Sequence, residues 1–290
     1  MAIREVELPA TATTPPERLP AIGQGTWHMA EGRGADSDEV AALQYGLDSG
    51  LRVIDTAEMY ASGRAEALVG RALAGRRHEA FLVSKVFPWN AGRRDAVAAC
   101  EASLRRLGTD YLDLYLLHWP GNIPLAETLE AFEQLREQGK IRRFGVSNFD
   151  VADMESLWAQ PGGHEVSLNQ VLYHLGSRGI EHSLLPWQRE RRLPTMAYCP
   201  LAGGGDPLRH PEVIAVADEL DTTPAAVLLS WATRASAGAH HDVIAIPKAA
   251  SRKHVAVNAE ALALELGDRA RERLDQALPA PSSKPPLDIV

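Results

Sequence analysis

Residues 80–118, AFLVSKVFPWNAGRRDAVAACEASLRRLGTDYLDLYLLH, hold a complete strand–helix–strand unit. The flanking runs AFLVSKV (80–86) and YLDLYLLH (111–118) are short, apolar, and rich in Val, Leu and aromatic residues, which reads as strand. Between them RDAVAACEASLRRLG (94–108) spaces its apolar residues at helical intervals, with Asp95 near its start and Gly108 at its end. Neither run alternates strictly between apolar and polar. Continuous apolar strands belong to parallel sheets whose outer face is covered by helices. A polar residue, Lys85 or His118, stands at or near the close of each run.

The same unit recurs along the chain. Further strand candidates are AIGQGTW (21–27), RVIDTA (52–57), RRFGVSN (142–148), VSLNQ (166–170), PTMAYCP (194–200) and DVIAIPK (242–248). Helical patterns fill the gaps: SDEVAALQYGLDSG (37–50), AEALVGRALAG (65–75), LAETLEAFEQLREQGK (125–140), VADMESLWAQ (151–160), residues 179–192 and PAAVLLSWATRAS (224–236). Roughly eight strand–helix units predict an α/β fold, a (β/α)8 TIM barrel. No linker or composition break divides the sequence, so it reads as one domain over 1–290. An open doubly wound sheet is the alternative, but no G-x-G-x-x-G follows a strand.

Composition narrows the partners. The chain has 290 residues, 45% hydrophobic and 23% charged, with a net charge of −8. That balance argues against nucleic acid or an anionic membrane as partner. Cys100 and Cys199, the two cysteines, form no metal or redox motif. The N-terminal MAIREVELPATATTPPERLP has no apolar core of signal-peptide length, and no apolar run reaches a membrane span. The expectation is a cytoplasmic monomer acting on a small molecule, with no metal.

In a (β/α)8 barrel the site is assembled at the C-terminal ends of the strands. Those ends carry Asp55, Lys85, His118, Ser147 with Asn148, Gln170, Tyr198 and Lys248. Carbonyl reduction needs a hydride from a cofactor and a proton for the developing alkoxide. A tyrosine phenol such as Tyr60 can give the proton, although its unperturbed pKa of ~10 is high for the task. The Lys85 ammonium is expected to lower it, with Asp55 holding Lys85 charged. A neutral His118 can orient the carbonyl oxygen.

Six motifs then align in one order. GLRVIDTAEMYASGRAEALVG (50–70), KIRRFGVSNF (140–149) and AIPKAASRKHVAVN (245–258) resemble the three signatures of the aldo-keto reductase family. LLHWP (116–120), NQVLYH (169–174) and AYCPL (197–201) are similar to its remaining landmarks. The resemblance covers nearly the whole chain and looks like a bacterial, short-loop aldehyde or aldose reductase. It implies a barrel that binds NADP(H) or NAD(H) without a Rossmann fingerprint. It also implies a catalytic tetrad of Asp55, Tyr60, Lys85 and His118. Ser147, Asn148 and Gln170 become the carboxamide clamp, and Tyr198 the platform under the nicotinamide. Gly25, Thr26, Leu201, Lys248, Ser251, Arg252, His254 and Asn258 fall where the family contacts the rest of the cofactor. Trp27 and Trp119 line the substrate pocket by the same analogy.

Departures from the pattern bear on the cofactor. Ala249 stands where the family usually has Ser, and His254 where it often has Arg. A neutral imidazole is a poorer phosphate partner than a guanidinium. Lys248, Arg252 and Lys253 keep the segment positive, so NADP(H) is favoured, with NAD(H) the alternative. The loops after His118 and Tyr198 and the tail SSKPPLDIV are short, which predicts an open pocket for small aldehydes, dicarbonyls or aldoses. The rival from another class is a non-catalytic nicotinamide-binding redox sensor or regulatory subunit on the same fold.

Overall fold

A computed structural model describes residues 3–236 and 240–290. Eight strands form one sheet in chain order. They are β3 (Gln24–Gly25), β4 (Val53–Asp55), β5 (Phe81–Val86), β6 (Leu112–Leu117), β7 (Ile141–Ser147), β8 (Asn169–Leu172), β9 (Thr195–Tyr198) and β10 (Val243–Ala245). Every neighbouring pair is parallel. The sheet closes on itself through parallel bridges from Ile22 to Ala245 and from Gly25 to Lys248. At that seam the Gly23 and Gly25 amides donate to the Ala245 and Pro247 carbonyls at 2.8 and 3.1 Å. A Cβ on Gly25 would lie 2.6 Å from the Ile246 carbonyl oxygen, so the seam requires glycine there. The closed (β/α)8 barrel replaces the open-sheet alternative.

Strand alternation explains both the core and the site. Phe81, Val83, Leu114, Leu116, Leu168, Met196 and Ile244 pack together inside the barrel. Leu82, Val86, Leu117, Val146 and Val171 face outward against the helices. Continuing the two-residue period toward the strand ends aims Asp55, Lys85, His118, Gln170 and Tyr198 at the barrel axis. The surrounding helices are α1 (Asp36–Asp48), α2 (Arg64–Ala72), α3 (Asp95–Leu107), α4 (Leu125–Glu137), α5 (Val151–Trp158), α6 (Leu184–Glu190), α7 (Pro211–Glu219), α8 (Pro224–Ala232), α9 (Arg252–Glu260) and α10 (Asp268–Ala277). No helix among the described residues is long and apolar enough to cross a membrane.

Several elements differ from the sequence reading. The N-terminal segment forms an antiparallel hairpin of β1 (Glu5–Leu8) and β2 (Glu17–Pro20). Its Val6, Leu8 and Leu19 join the barrel-interior cluster and stop the N-terminal end of the barrel. The stretch 179–192 is not one helix: a 3-10 turn, Gly179–His182, precedes α6. Pro186 accounts for the break, because its ring would clash with the carbonyl four residues back in a continuous helix. β8 begins at Asn169 rather than Val166. α7, α9 and α10 form where no helix was expected, and α10 buries only Leu274.

Candidate active site

Lys85, fully buried in β5, organises the cluster. Its Nζ donates to Asp55 Oδ2 at 2.7 Å, the Thr56 carbonyl at 2.8 Å and Tyr60 Oη at 3.1 Å. Three contacts, one of them to a carboxylate, match the three N–H bonds of an ammonium. Lys85 is therefore the charged partner of Asp55. Burial pushes the Lys85 pKa down and the Asp55 pKa up, and in each case the opposite charge counteracts it. Because Tyr60 accepts from Lys85, its own O–H is left to donate elsewhere.

Tyr60 differs from expectation in one respect. Its phenol is held well above the ordinary tyrosine pKa, by burial first and then by the Asp55 carboxylate. Burial and the Asp55 carboxylate outweigh the Lys85 ammonium, although its Nζ donates to the phenol oxygen at 3.1 Å. The half-buried ring keeps its proton at neutral pH. His118, 8% exposed, meets Tyr60 edge to face with ring centroids 5.9 Å apart. Burial and the Lys85 charge lower its pKa to about 2, so the imidazole is neutral. Its Nδ1 is buried without a hydrogen-bond partner.

Around this cluster, neighbouring strand ends hold one another. Asn148 adopts a left-handed conformation (φ 58°), which Asn tolerates better than most residues. Its Nδ2 donates to the His118 carbonyl at 3.1 Å and to Ser147 Oγ at 3.3 Å. Tyr198 Oη donates to Asn148 Oδ1 at 2.9 Å. Gln170 Nε2 donates to Asp55 Oδ1 at 2.8 Å, a link across the barrel that sequence reasoning missed.

A cavity of about 840 Å³ opens above them. Asp55, Tyr60 and His118 line it, as do Ser147, Asn148, Gln170 and Tyr198. Gly25, Leu201, Lys248, His254 and Asn258 extend the lining to one side, and Trp27 and Trp119 stand in the wall. Lys85 lies behind Tyr60 rather than on the surface of the cavity. Three expected contacts also sit off the lining. Thr26 is fully buried, its hydroxyl donating to the Asp55 carbonyl at 2.9 Å. Ser251 caps α9, accepting from the His254 amide. Arg252 is exposed at the start of α9.

The wall is less open than the loop lengths suggest. Ile289 and Val290 line the cavity, and the tail is fastened by Lys284 to Asp150 at 2.8 Å and by Ser177 to Asp288. The segment SSKPPLDIV has no periodicity to announce this; its closing Ile and Val after a proline pair were the one usable signal. Met59 and His28 also line the cavity, with His28 stacked on Trp27 at 4.3 Å. Trp89, 61% exposed, stacks on Phe87 outside it. Among the described residues no group of three or more His, Cys, Asp or Glu is arranged to hold a metal ion.

A closed barrel with a phenol, an ammonium–carboxylate pair and a neutral imidazole beside one cavity defines a barrel enzyme with an acid–base centre. Residues 21–206 match the aldo/keto reductase family, and the chain belongs to it. The methylglyoxal reductase YeaE of Escherichia coli (strain K12) is 54% identical over 276 residues, 94% of this chain and 95% of that protein. The glyoxal reductase of Bacillus subtilis (strain 168) is 32% identical, over 89% of this chain and 88% of that one. A crystal structure of an aldo/keto reductase from Klebsiella pneumoniae, in complex with NADP and acetate, is 50% identical with a TM-score of 0.93 over 100% of both chains.

Proposed function

We propose that this protein reduces small aldehydes and dicarbonyls to alcohols with NADPH, methylglyoxal being the first substrate to test. The observation that carries the reading is the hydrogen-bond polarity at Tyr60. Lys85 donates to its oxygen, so the phenol proton is available to a substrate oxygen in the cavity. NADPH, when bound, supplies the hydride.

The cavity suits that cofactor: its lining includes Tyr60 and His118 as well as Lys248, His254 and Asn258. Gly25 keeps the backbone bare at the seam. The first turn of α9 holds no acidic residue, and a helix N-terminus favours phosphate. Lys248 and Arg252 would hold the 2′-phosphate, Ser251 acting by capping α9 rather than by contact. Ser147, Asn148 and Gln170 would hold the carboxamide, with Tyr198 beneath the ring.

Tyr60 gives its proton to the carbonyl oxygen as that oxygen gains negative charge. The phenolate left behind faces the Lys85 ammonium, which stabilises it until water returns a proton. Neutral His118 orients the same oxygen by hydrogen bonding. Trp27 and Trp119 shield the reacting carbon from water.

Tyr60→Phe tests the reading. With NADPH and either methylglyoxal or 4-nitrobenzaldehyde, kcat should fall ~10²-fold or more while the NADPH Kd stays near wild type. A variant that keeps more than half of kcat removes Tyr60 from the mechanism. Wild-type protein that binds NADPH but turns over neither aldehyde would instead be a sensor on the same fold.

A further inference from the structure

Tyr60 sits on a turn with little hold of its own. Within the turn the backbone bonds are local, from the Tyr60 amide to the Ala57 carbonyl and from the Ser62 amide to the Met59 carbonyl, each 3.1 Å, and its backbone tie to β5, from the Glu58 amide to the Lys85 carbonyl, is long at 3.5 Å. Ala61, Ser62 and Gly63 all have positive φ, at 49°, 56° and 84°. Such a run is strained for the two non-glycine residues. Yet the reaction needs the phenol fixed at 3.1 Å from Lys85. Something outside the turn must set that distance.

Two carboxylates flank Tyr60 in sequence, and they bind the two sides of Lys85 in sequence. Upstream, Glu58 Oε1 accepts from the Phe87 amide at 2.8 Å and from Asn90 Nδ2 at 3.2 Å. Downstream, fully buried Glu66 accepts from Ser84 Oγ at 2.6 Å. Its other oxygen accepts from Arg106 Nε at 2.5 Å. Arg106 also lies over the turn, where a Cβ on Gly63 would meet its Cδ at 2.6 Å. Ser84 and Lys85 are neighbours on β5 facing opposite sides, one to α2 and one to the barrel axis. Docking the turn on Ser84 and Phe87 therefore fixes it to the same few residues that carry the ammonium.

We infer that Glu58 and the Ser84–Glu66–Arg106 network are positioning residues that clamp the Tyr60 turn to β5 around Lys85. Neither touches the cavity chemistry directly; both act through Tyr60. The inference rests on Tyr60 being the proton donor.

The test uses Glu58→Ala, Glu58→Gln and Ser84→Ala, each alone and in a Tyr60→Phe background. Displacing a reacting group by about an ångström is worth orders of magnitude in rate. Glu58→Ala and Ser84→Ala should each lower kcat by ~10-fold, with the NADPH Kd, measured by fluorescence titration, within about twofold of wild type. Glu58→Gln keeps an acceptor oxygen at the same reach and should restore most of kcat. Added to Tyr60→Phe, neither alanine substitution should lower the residual rate further, since both act through the missing phenol. Thermal melts establish that each variant is folded at the assay temperature. Losses that add in the Tyr60→Phe background, or folded alanine variants that keep more than half of kcat, would overturn the clamp. If Tyr60→Phe itself stays active, the proton-donor reading fails first and the clamp with it.

Discussion

At His118 the balance between burial and charge leaves a signature that no turnover assay is needed to see. The imidazole is held neutral in the folded chain, its pKa lowered to about 2, whereas in the unfolded chain it titrates near ~6.5. Below that pH the unfolded state binds the proton and the folded state refuses it. The contribution of His118 to stability is thus complete above ~6.5 and is lost progressively as the pH falls toward the folded value. His118→Gln removes the titration and keeps a polar side chain. The wild-type advantage over His118→Gln should therefore shrink on going from neutral to acid pH, by up to ~1.4 kcal/mol per pH unit. Parallel urea melts of the two proteins across that range decide it, and a constant difference would mean that His118 takes up its proton in the folded chain as readily as in the unfolded one. The same residue shows what sequence could and could not give. A histidine closing YLDLYLLH is placed on the barrel axis by alternation alone, as Asp55, Lys85, Gln170 and Tyr198 are on their strands. Its neutrality depends on burial first and then on the charge of Lys85, thirty-odd positions away and one strand over. Tyr60 is harder still, because it rides a turn of left-handed residues that no period describes, and only the motif around it singled it out. The raised pKa of its phenol was not legible either: it depends first on burial and then on the Asp55 carboxylate, which is a matter of ångströms.

Strand β7 joins the two ends of the molecule in one element. Its last residue, Ser147, stands at the cavity, and Arg143, four residues earlier, is fully buried toward the hairpin. The Arg143 guanidinium donates to the Pro9 carbonyl at 2.6 Å and to the Pro15 carbonyl. Arg143→Met keeps the buried chain length but removes both bonds; water can reach the carbonyl of exposed Pro15, while a buried carbonyl left unpaired costs ~1–3 kcal/mol. Stability should drop by ~1–3 kcal/mol while kcat and the NADPH Kd of the folded variant stay at wild-type values. Denaturant melts beside kinetics check this, and an unchanged melt would mean that water takes over the bonds. Nothing in RRFGVSN marks its second arginine as a plug, since its partners are backbone carbonyls in a segment without strand periodicity. The hairpin itself escaped reading for a related reason: EVEL and ERLP are four-residue strands with few apolar positions, and their burial depends on a barrel that must already exist. The eight parallel strands were readable because each is buried on both faces. Helix α10 was not, because its apolar stripe is narrow: Leu274 is its buried residue, with only Ala270 and Leu278 packed on the core beside it. In α6 the proline at position 186 was visible and its consequence calculable, so that break lay within reach of the sequence.

Across the whole molecule the charge distribution opposes the site. The chain carries a net −8, yet Lys248, Arg252 and Lys253 cluster where the barrel seam meets the start of α9. Bulk charge does not attract a dinucleotide phosphate; a local group of cations at a helix N-terminus can. The seam is also where the first and last strands of the barrel meet, through Gly25 and Lys248. A ligand lying along the cavity from Tyr198 to Asn258 would therefore bind the folded barrel and have nothing to bind in the unfolded chain. Mass action then makes thermal stability a cofactor assay: at a hundredfold excess over Kd, binding adds ~2.7 kcal/mol, or roughly 4 °C for a chain of this size. NADPH should raise Tm more than an equal concentration of NADH. Replacing both cations, Lys248→Ala with Arg252→Ala, should weaken NADPH by ~1–3 kcal/mol and leave NADH nearly unchanged, so the two melting curves should converge. The 2′-phosphate is the only group that distinguishes the ligands, so convergence assigns these side chains to it. Equal losses for both cofactors would assign them to the shared pyrophosphate instead. His254 makes the comparison sharper, because an imidazole stands where the family often has a guanidinium, and the load falls on Lys248 and Arg252. If neither cofactor shifts the melt of the wild-type protein, the cavity is not a nicotinamide site, and the proposed reduction falls with it.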